Sequence, residues 1–195
     1  MARWQPGAAE RMRGAALDLF VERGYDATTA ADIAAAAGLT ERTFYRHFAD
    51  KREVLFWGSE EFEASFTDPI DALSPDVGAM GAVVAAVVGG AGRFTPERRE
   101  FASLRAGVVD ATPPLRERER DKMARLATVI ADRLVARGVP ATDAQLAAHS
   151  GVTVFTTAFA RWVAGDARSP EALCADLFDD LARLTDQLKS STETV

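Results

Sequence analysis

The sequence predicts an all-α protein with an N-terminal three-helix unit built on a helix-turn-helix, followed by a larger helical bundle, about nine helices in all. Three observations carry this. Apolar residues recur at helical spacing almost throughout, no stretch alternates convincingly as a half-buried strand would, and Gly and Pro fall between the periodic segments. With 195 residues, 48% of them hydrophobic, the chain can form one small and one larger core. The expected division places a small domain at 1–51 and a large one at 52–195.

In the first helix Met12, Ala16, Leu19, Phe20 and Arg23 share helical spacing, and Gly24 stops it. Thr29 and Asp32 make a Thr-x-x-Asp capping box, with Asp replacing the commoner Glu, so a second helix is expected over Thr29–Ala37. Gly38 then supplies a left-handed turn that lets a third helix, Leu39–Arg46, cross the second steeply. Ile33, Ala34, Ala37, Leu39, Phe44 and Phe48 should form the small core. A fourth helix is expected from Asp50, its N-cap, to Phe66, serving as a lever between domain and body. A turn-rich stretch, Thr67–Pro75, should follow. Ala79–Val88 resembles a buried strand, but its length and alanine content favour a helix over Asp76–Gly90. Further helices are expected over Pro96–Ala111, Thr112–Gly138, Asp143–Ala164 and Pro170–Lys189.

Two short helices about a glycine turn, followed by hydroxyl, aromatic and cationic side chains, are how a chain sets a helix in the DNA major groove. Phe20-Val-Glu-Arg-Gly-Tyr-Asp-Ala-Thr-Thr29, Asp32-Ile-Ala, Ala37-Gly38 and Thr43-Phe-Tyr-Arg-His-Phe-Ala-Asp-Lys51 resemble the TetR family of bacterial regulators. The resemblance covers about the first quarter of the chain. It implies a homodimer with an N-terminal DNA-binding domain and an all-helical C-terminal domain that binds a small effector and dimerises. Carried over, it puts Thr28, Thr29, Thr43, Tyr45, His47 and Lys51 near phosphates. The chemistry agrees, since helix-start hydroxyls, a Tyr hydroxyl and a lysine point charge all suit phosphate oxygens. Tyr45 alone could equally be packing, and His47 suits either a phosphate or the negative end of its helix. Base reading would fall to Thr40, Glu41, Arg42 and Arg46, favouring G·C-rich half-sites. Where a variant of the family pattern carries a base-reading Arg or Lys, this chain has Ala30, which reduces the expected role of the second helix.

The formal net charge is −6. Residues 1–51 balance near zero, so the body carries the excess, and DNA binding requires the basic groups to gather on one face with marked salt sensitivity. The tail with Arg3, Trp4 and Pro6 is read as disordered, with a minor-groove arm as the alternative. No run of apolar residues reaches membrane-span length and no cleavable leader is evident, so a cytoplasmic protein without membrane partner is expected. One Cys, two distant His and no glycine-rich phosphate loop argue against an enzyme, and no cofactor or metal is implied. Cys174 is read as core or interface packing, with a redox sensor as the alternative.

In the last two predicted helices Val152, Phe155, Phe159, Trp162 and Val163 share a face, and Leu173, Leu177, Leu181, Leu184 and Leu188 form a stripe. Either both faces pack within one subunit or they pair with a second copy. The resemblance implies a four-helix bundle between subunits, which makes Phe159, Trp162, Leu173, Leu177, Leu181 and Leu184 the expected dimer interface. Trp57, Phe62, Phe66, Phe101, Leu104, Val108 and Phe155, with Arg105 and His149 as polar anchors, are the candidates for an effector pocket. His149 has the alternative of a partly buried helix residue. Thr112-Pro-Pro-Leu-Arg-Glu-Arg118 and the helix after it are similar to an actinobacterial TetR subgroup that includes the regulator of mycofactocin synthesis. That likeness implies a largely apolar, fatty acyl-type effector. The expected function is a ligand-responsive repressor on a palindromic double-stranded operator. A constitutive or architectural DNA-binding protein without effector control is the rival.

Overall fold

The computed structural model describes residues 7–192, with side chains through residue 187. The tail bearing Arg3, Trp4 and Pro6 and the Leu188 side chain lie outside the described residues. Within them the chain forms nine α-helices and no strand: α1 Ala8–Arg23, α2 Ala30–Ala36, α3 Glu41–His47, α4 Ser59–Asp71, α5 Ala79–Ala91, α6 Arg99–Ala111, α7 Pro113–Ala136, α8 Ala141–Val163 and α9 Pro170–Thr192. No single helix among them is long and apolar enough to cross a membrane.

The segment after Asp50 departs from the continuous fourth helix expected. Asp50 does cap, accepting the amides of Arg52 and Glu53, but what it caps is a short 3₁₀ turn, Glu53–Phe56. Gly58 then takes φ +81°, a left-handed step that ends the turn before α4 begins. At the other end α4 runs past Phe66 to Asp71 with Pro69 inside it, through residues expected to be turn. Packing accounts for the run-through. A Cβ on Gly89 of α5 would stand 2.7 Å from the Pro69 ring, so the glycine makes room for the proline.

The helices sort into two compact units. The first takes in the chain through Ser59 together with Phe101–Arg120, and the second takes in Glu60–Glu100 with the chain from Asp121. The first unit is therefore larger than the expected 1–51. Its core joins Met12, Leu17 and Phe20 of α1, Ile33 of α2 and Phe44 of α3 to Val54 and Phe56 of the 3₁₀ turn, and also to Val109 and Leu115. Two guanidiniums flank Phe56, Arg105 at 4.9 Å and Arg118 at 4.8 Å from its centroid. Arg118 forks onto Glu53 at 2.9 and 3.2 Å, a bidentate geometry that fixes direction as well as distance.

In the second unit α5 packs on α8 and α9, which also pack on each other. Small residues set the spacing. A Cβ on Gly90 would come within 2.5 Å of the Phe66 ring, and one on Gly151 within 2.4 Å of a Val83 methyl. Phe62, Phe66, Phe94, Phe155, Phe159 and Trp162 form a linked ring cluster with centroid separations of 4.9 to 6.1 Å. Arginines close the ends. Arg99 donates to the Trp162 and Asp166 carbonyls over the Trp162 ring. Arg137 donates to those of Leu73 and Ser74 in the loop after α4. Cys174 is fully buried beside Leu173, and burial pushes its thiol pKa up to about 12, with Glu171 adding to the rise.

Candidate DNA-binding site

The expected capping box forms at the start of α2. The Thr29 hydroxyl accepts the Asp32 amide at 3.1 Å, and the Thr29 amide donates back to the Asp32 carboxylate at 2.9 Å. These bonds, that of the Thr29 hydroxyl foremost, hold the Asp32 carboxyl below the ordinary carboxylate range. At the other end of α2, Gly38 takes φ +70°; its amide donates to Ala35 O and the Leu39 amide to Ala34 O. This is the Schellman arrangement, which satisfies the last carbonyls and turns the chain. Thr40 then caps α3 by accepting the Thr43 amide at 3.2 Å, and the two hydroxyls share a hydrogen bond at 3.0 Å.

Alpha-helix α3 thus starts and stops within seven residues and divides its faces cleanly. Phe44 is completely buried and stacks on Phe48 at 5.3 Å, tying the helix to the core. Thr40, Glu41, Arg42, Tyr45, Arg46 and His47 are exposed, and Thr43 is half-buried. Arg42, Thr43, Tyr45 and Arg46 line one open depression of about 500 Å³. Tyr45 is 56% exposed while its ring edge meets Phe44, so its hydroxyl stands clear of the core on a fixed ring. The mixture of two arginines, hydroxyls and one carboxylate can meet both phosphate oxygens and base edges.

Two of the expected phosphate contacts are corrected. Thr28 is 1% exposed, and its hydroxyl donates to Gly24 O at 2.9 Å and Leu19 O at 3.4 Å, closing the C-terminal turn of α1. Lys51 is committed to the loop before α2. Its Nζ donates to the Tyr25 and Thr28 carbonyls at 2.7 and 2.9 Å and lies 4.3 Å from the Tyr25 ring centroid. Sequence reading gave Tyr25 no role; its position directly after the helix-ending Gly24 was the available signal.

The effector candidates do not form one group. Trp57, Phe101, Leu104, Arg105 and Val108 belong to the first unit, and Phe62, Phe66, His149 and Phe155 to the second. Arg105 is no free anchor, because it donates to Leu55 O at 3.1 Å and pairs with Glu119 at 2.6 Å. Phe101 lies under the Arg13 guanidinium at 4.7 Å. Trp57 and Leu104 are largely exposed, and Val108 packs against the first core. His149 is exposed on α8 rather than facing the rings. Phe62, Phe66 and Phe155 remain together, with the Lys122 ammonium 3.8 Å from the Phe62 centroid.

Among the expected interface residues, Trp162 and Leu173 are buried within the subunit, which corrects their assignment to a dimer face. Phe159 is half-buried in the ring cluster. Leu177 and Leu181 are half-buried, and Leu184 is 54% exposed.

A capped, exposed third helix set across a glycine turn defines a helix-turn-helix DNA-binding regulator. Comparison with known proteins gives the family: the model of the TetR-family bacterial regulatory proteins matches residues 14–56, and that of the MftR C-terminal domain matches residues 77–190. The chain belongs to the TetR family of transcriptional regulators, with an MftR-like C-terminal domain, in line with both resemblances in its sequence. It is 34% identical over 132 residues to the HTH-type transcriptional regulator TcmR of Streptomyces glaucescens, a match that covers 60% of this chain and 56% of that protein. The fold is similar to that of a TetR-family transcriptional regulator from Syntrophomonas wolfei, with a TM-score of 0.64 at 21% identity, covering 91% of this chain and 94% of that one. It is also similar to the fatty acid degradation regulator FadR from Bacillus halodurans, with a TM-score of 0.53 at 15% identity, covering 89% and 94%.

Proposed function

We propose that the protein is a cytoplasmic repressor that binds a palindromic operator as a homodimer and is released by a small, largely apolar effector. The observation that carries the DNA-binding reading is the exposed face of α3, where Arg42, Tyr45 and Arg46 stand out from a helix fixed by Phe44. Thr29, Thr43, Tyr45 and His47 serve the phosphates, and Thr40, Glu41, Arg42 and Arg46 the base edges. Tyr45→Ala weakens binding to all sequences, whereas Arg42→Ala relaxes base preference more than it lowers non-specific affinity. Leu177, Leu181 and Leu184 of α9, with the outward side of α8 that carries Leu146, supply the partner surface; Leu146 is 66% exposed. Two half-sites about one helical turn apart require two recognition helices.

For the effector, the ring cluster around Phe62, Phe66 and Phe155 supplies apolar walls, and Lys122 supplies a cation beside Phe62. That pairing fits an amphiphile with an acidic head, in keeping with a fatty acyl-type ligand. The test is selection of operator sequences from a random DNA pool, followed by release assays with a series of saturated fatty acids and their acyl thioesters. A two-half-site palindrome, with release by some member of the series, is expected. Failure to enrich any motif at low salt overturns the DNA-binding reading. Binding that no member of the series alters leaves the constitutive or architectural regulator in its place.

A further inference from the structure

Lys51 lies 26 residues beyond Tyr25, yet its ammonium is the point on which the loop between α1 and α2 closes. Besides the carbonyls of Tyr25 and Thr28, Nζ reaches that of Asp26 at 3.5 Å. An ammonium has three protons, and the three carbonyls converge on it while the Tyr25 ring covers one side. From within, the Thr28 hydroxyl ties the same loop to the end of α1. The loop leads directly into Thr29, whose hydroxyl and amide form the start of α2. Lys51 itself follows Asp50, which caps the 3₁₀ turn. One side chain thus joins the two segments that flank the helix-turn-helix.

We infer that Lys51 is a positioning residue: its ammonium locks the α1–α2 loop, and through it the start of α2, into the DNA-competent arrangement before DNA arrives, and it neutralises no phosphate. This rests on the DNA-binding reading above. A lysine on a phosphate contributes to counterion release on binding, whereas a lysine satisfied by carbonyls contributes to the order of the free protein.

The test is K51M, which keeps the aliphatic stem and removes the donors. Amide hydrogen exchange over residues 25–32 in the DNA-free protein should accelerate about tenfold, the loss of one charge-assisted hydrogen-bond set. Operator affinity should fall by a similar factor while the slope of log K against log salt stays unchanged. T28V, which loosens the same loop without removing a charge, serves as the reference and should show the same pattern. Unaltered exchange in free K51M, or a salt slope reduced by about 0.9, overturns the inference. Should K51M lose its helical circular dichroism, K51Q is read by the same measurements. Exchange in the free protein reads Lys51 whether or not an operator is found, so a failure of the DNA-binding reading is separable from a failure of this one.

Discussion

In the first unit the joints are made by polar side chains on backbone groups, as where Thr29 and Thr40 cap helices, Thr28 closes α1 and Lys51 gathers a loop. The interior of the second unit is set instead by close approach, as where Gly90 admits the Phe66 ring, Gly89 admits Pro69 and Gly151 admits Val83. Arginines close loops there too, but at the ends of helices, as Arg99 and Arg137 do. The contrast shows two ways of fixing helix geometry. A cap or clamp acts through direction and tolerates small changes in volume; a glycine under a ring acts through volume and tolerates almost none.

The largest test of this contrast is Phe66→Ala, which removes the ring at the centre of the second unit and should cost about 3–5 kcal/mol in denaturant unfolding. A loss under about 1 kcal/mol would mean that the rings are loosely packed and that volume does not govern there. Gly90→Ala comes next. Its methyl has no room against Phe66, and about 1–3 kcal/mol should be lost; a neutral result would show that α4 and α5 can slide apart.

In the first unit the effects should be smaller and local. Thr40→Ala removes the α3 cap and should lower stability by about 1 kcal/mol, with faster amide exchange confined to α3 and its flanks. Loss of protection across the whole first unit would contradict the local character assigned to caps.

The capping box also sets a pH dependence. Because the folded Asp32 carboxyl titrates below its ordinary value of 3.8, its contribution is fully present above the unfolded value and is lost as pH falls through the lowered folded one. An NMR titration should therefore place Asp32 below ordinary aspartates, and Thr29→Val should return it toward them. The smallest effect belongs to Arg168, exposed in its pairs with Asp166 and Asp176; Arg168→Ala should leave the unfolding midpoint unchanged within error.

The same contrast decides what could be read in advance. Thr29 with Asp32, Gly38 and Phe44 act within a few residues of themselves, so spacing and residue type disclosed the capping box, the turn and the buried face of α3. Lys51 was misread because its acceptors are carbonyls far away in the chain, and every residue has a carbonyl. Pro69 looked like a helix end because its glycine partner stands on another helix. The leucine stripe of α9 followed from periodicity, but which members face inward depends on α5 and α8, so Leu173 and Leu184 could not be told apart beforehand. The ring cluster likewise draws on residues from several helices, and no local pattern marks it as a pocket.

The burial of Cys174 has a practical consequence. It is the chain's single cysteine, and its thiol stays protonated at any ordinary working pH, so thiol-directed reagents meet a silent background. A cysteine introduced at an exposed position such as Ala49 would then be the one reactive label per chain. Spin or fluorophore pairs placed there would report the separation of two recognition helices directly, with no native residue to remove first.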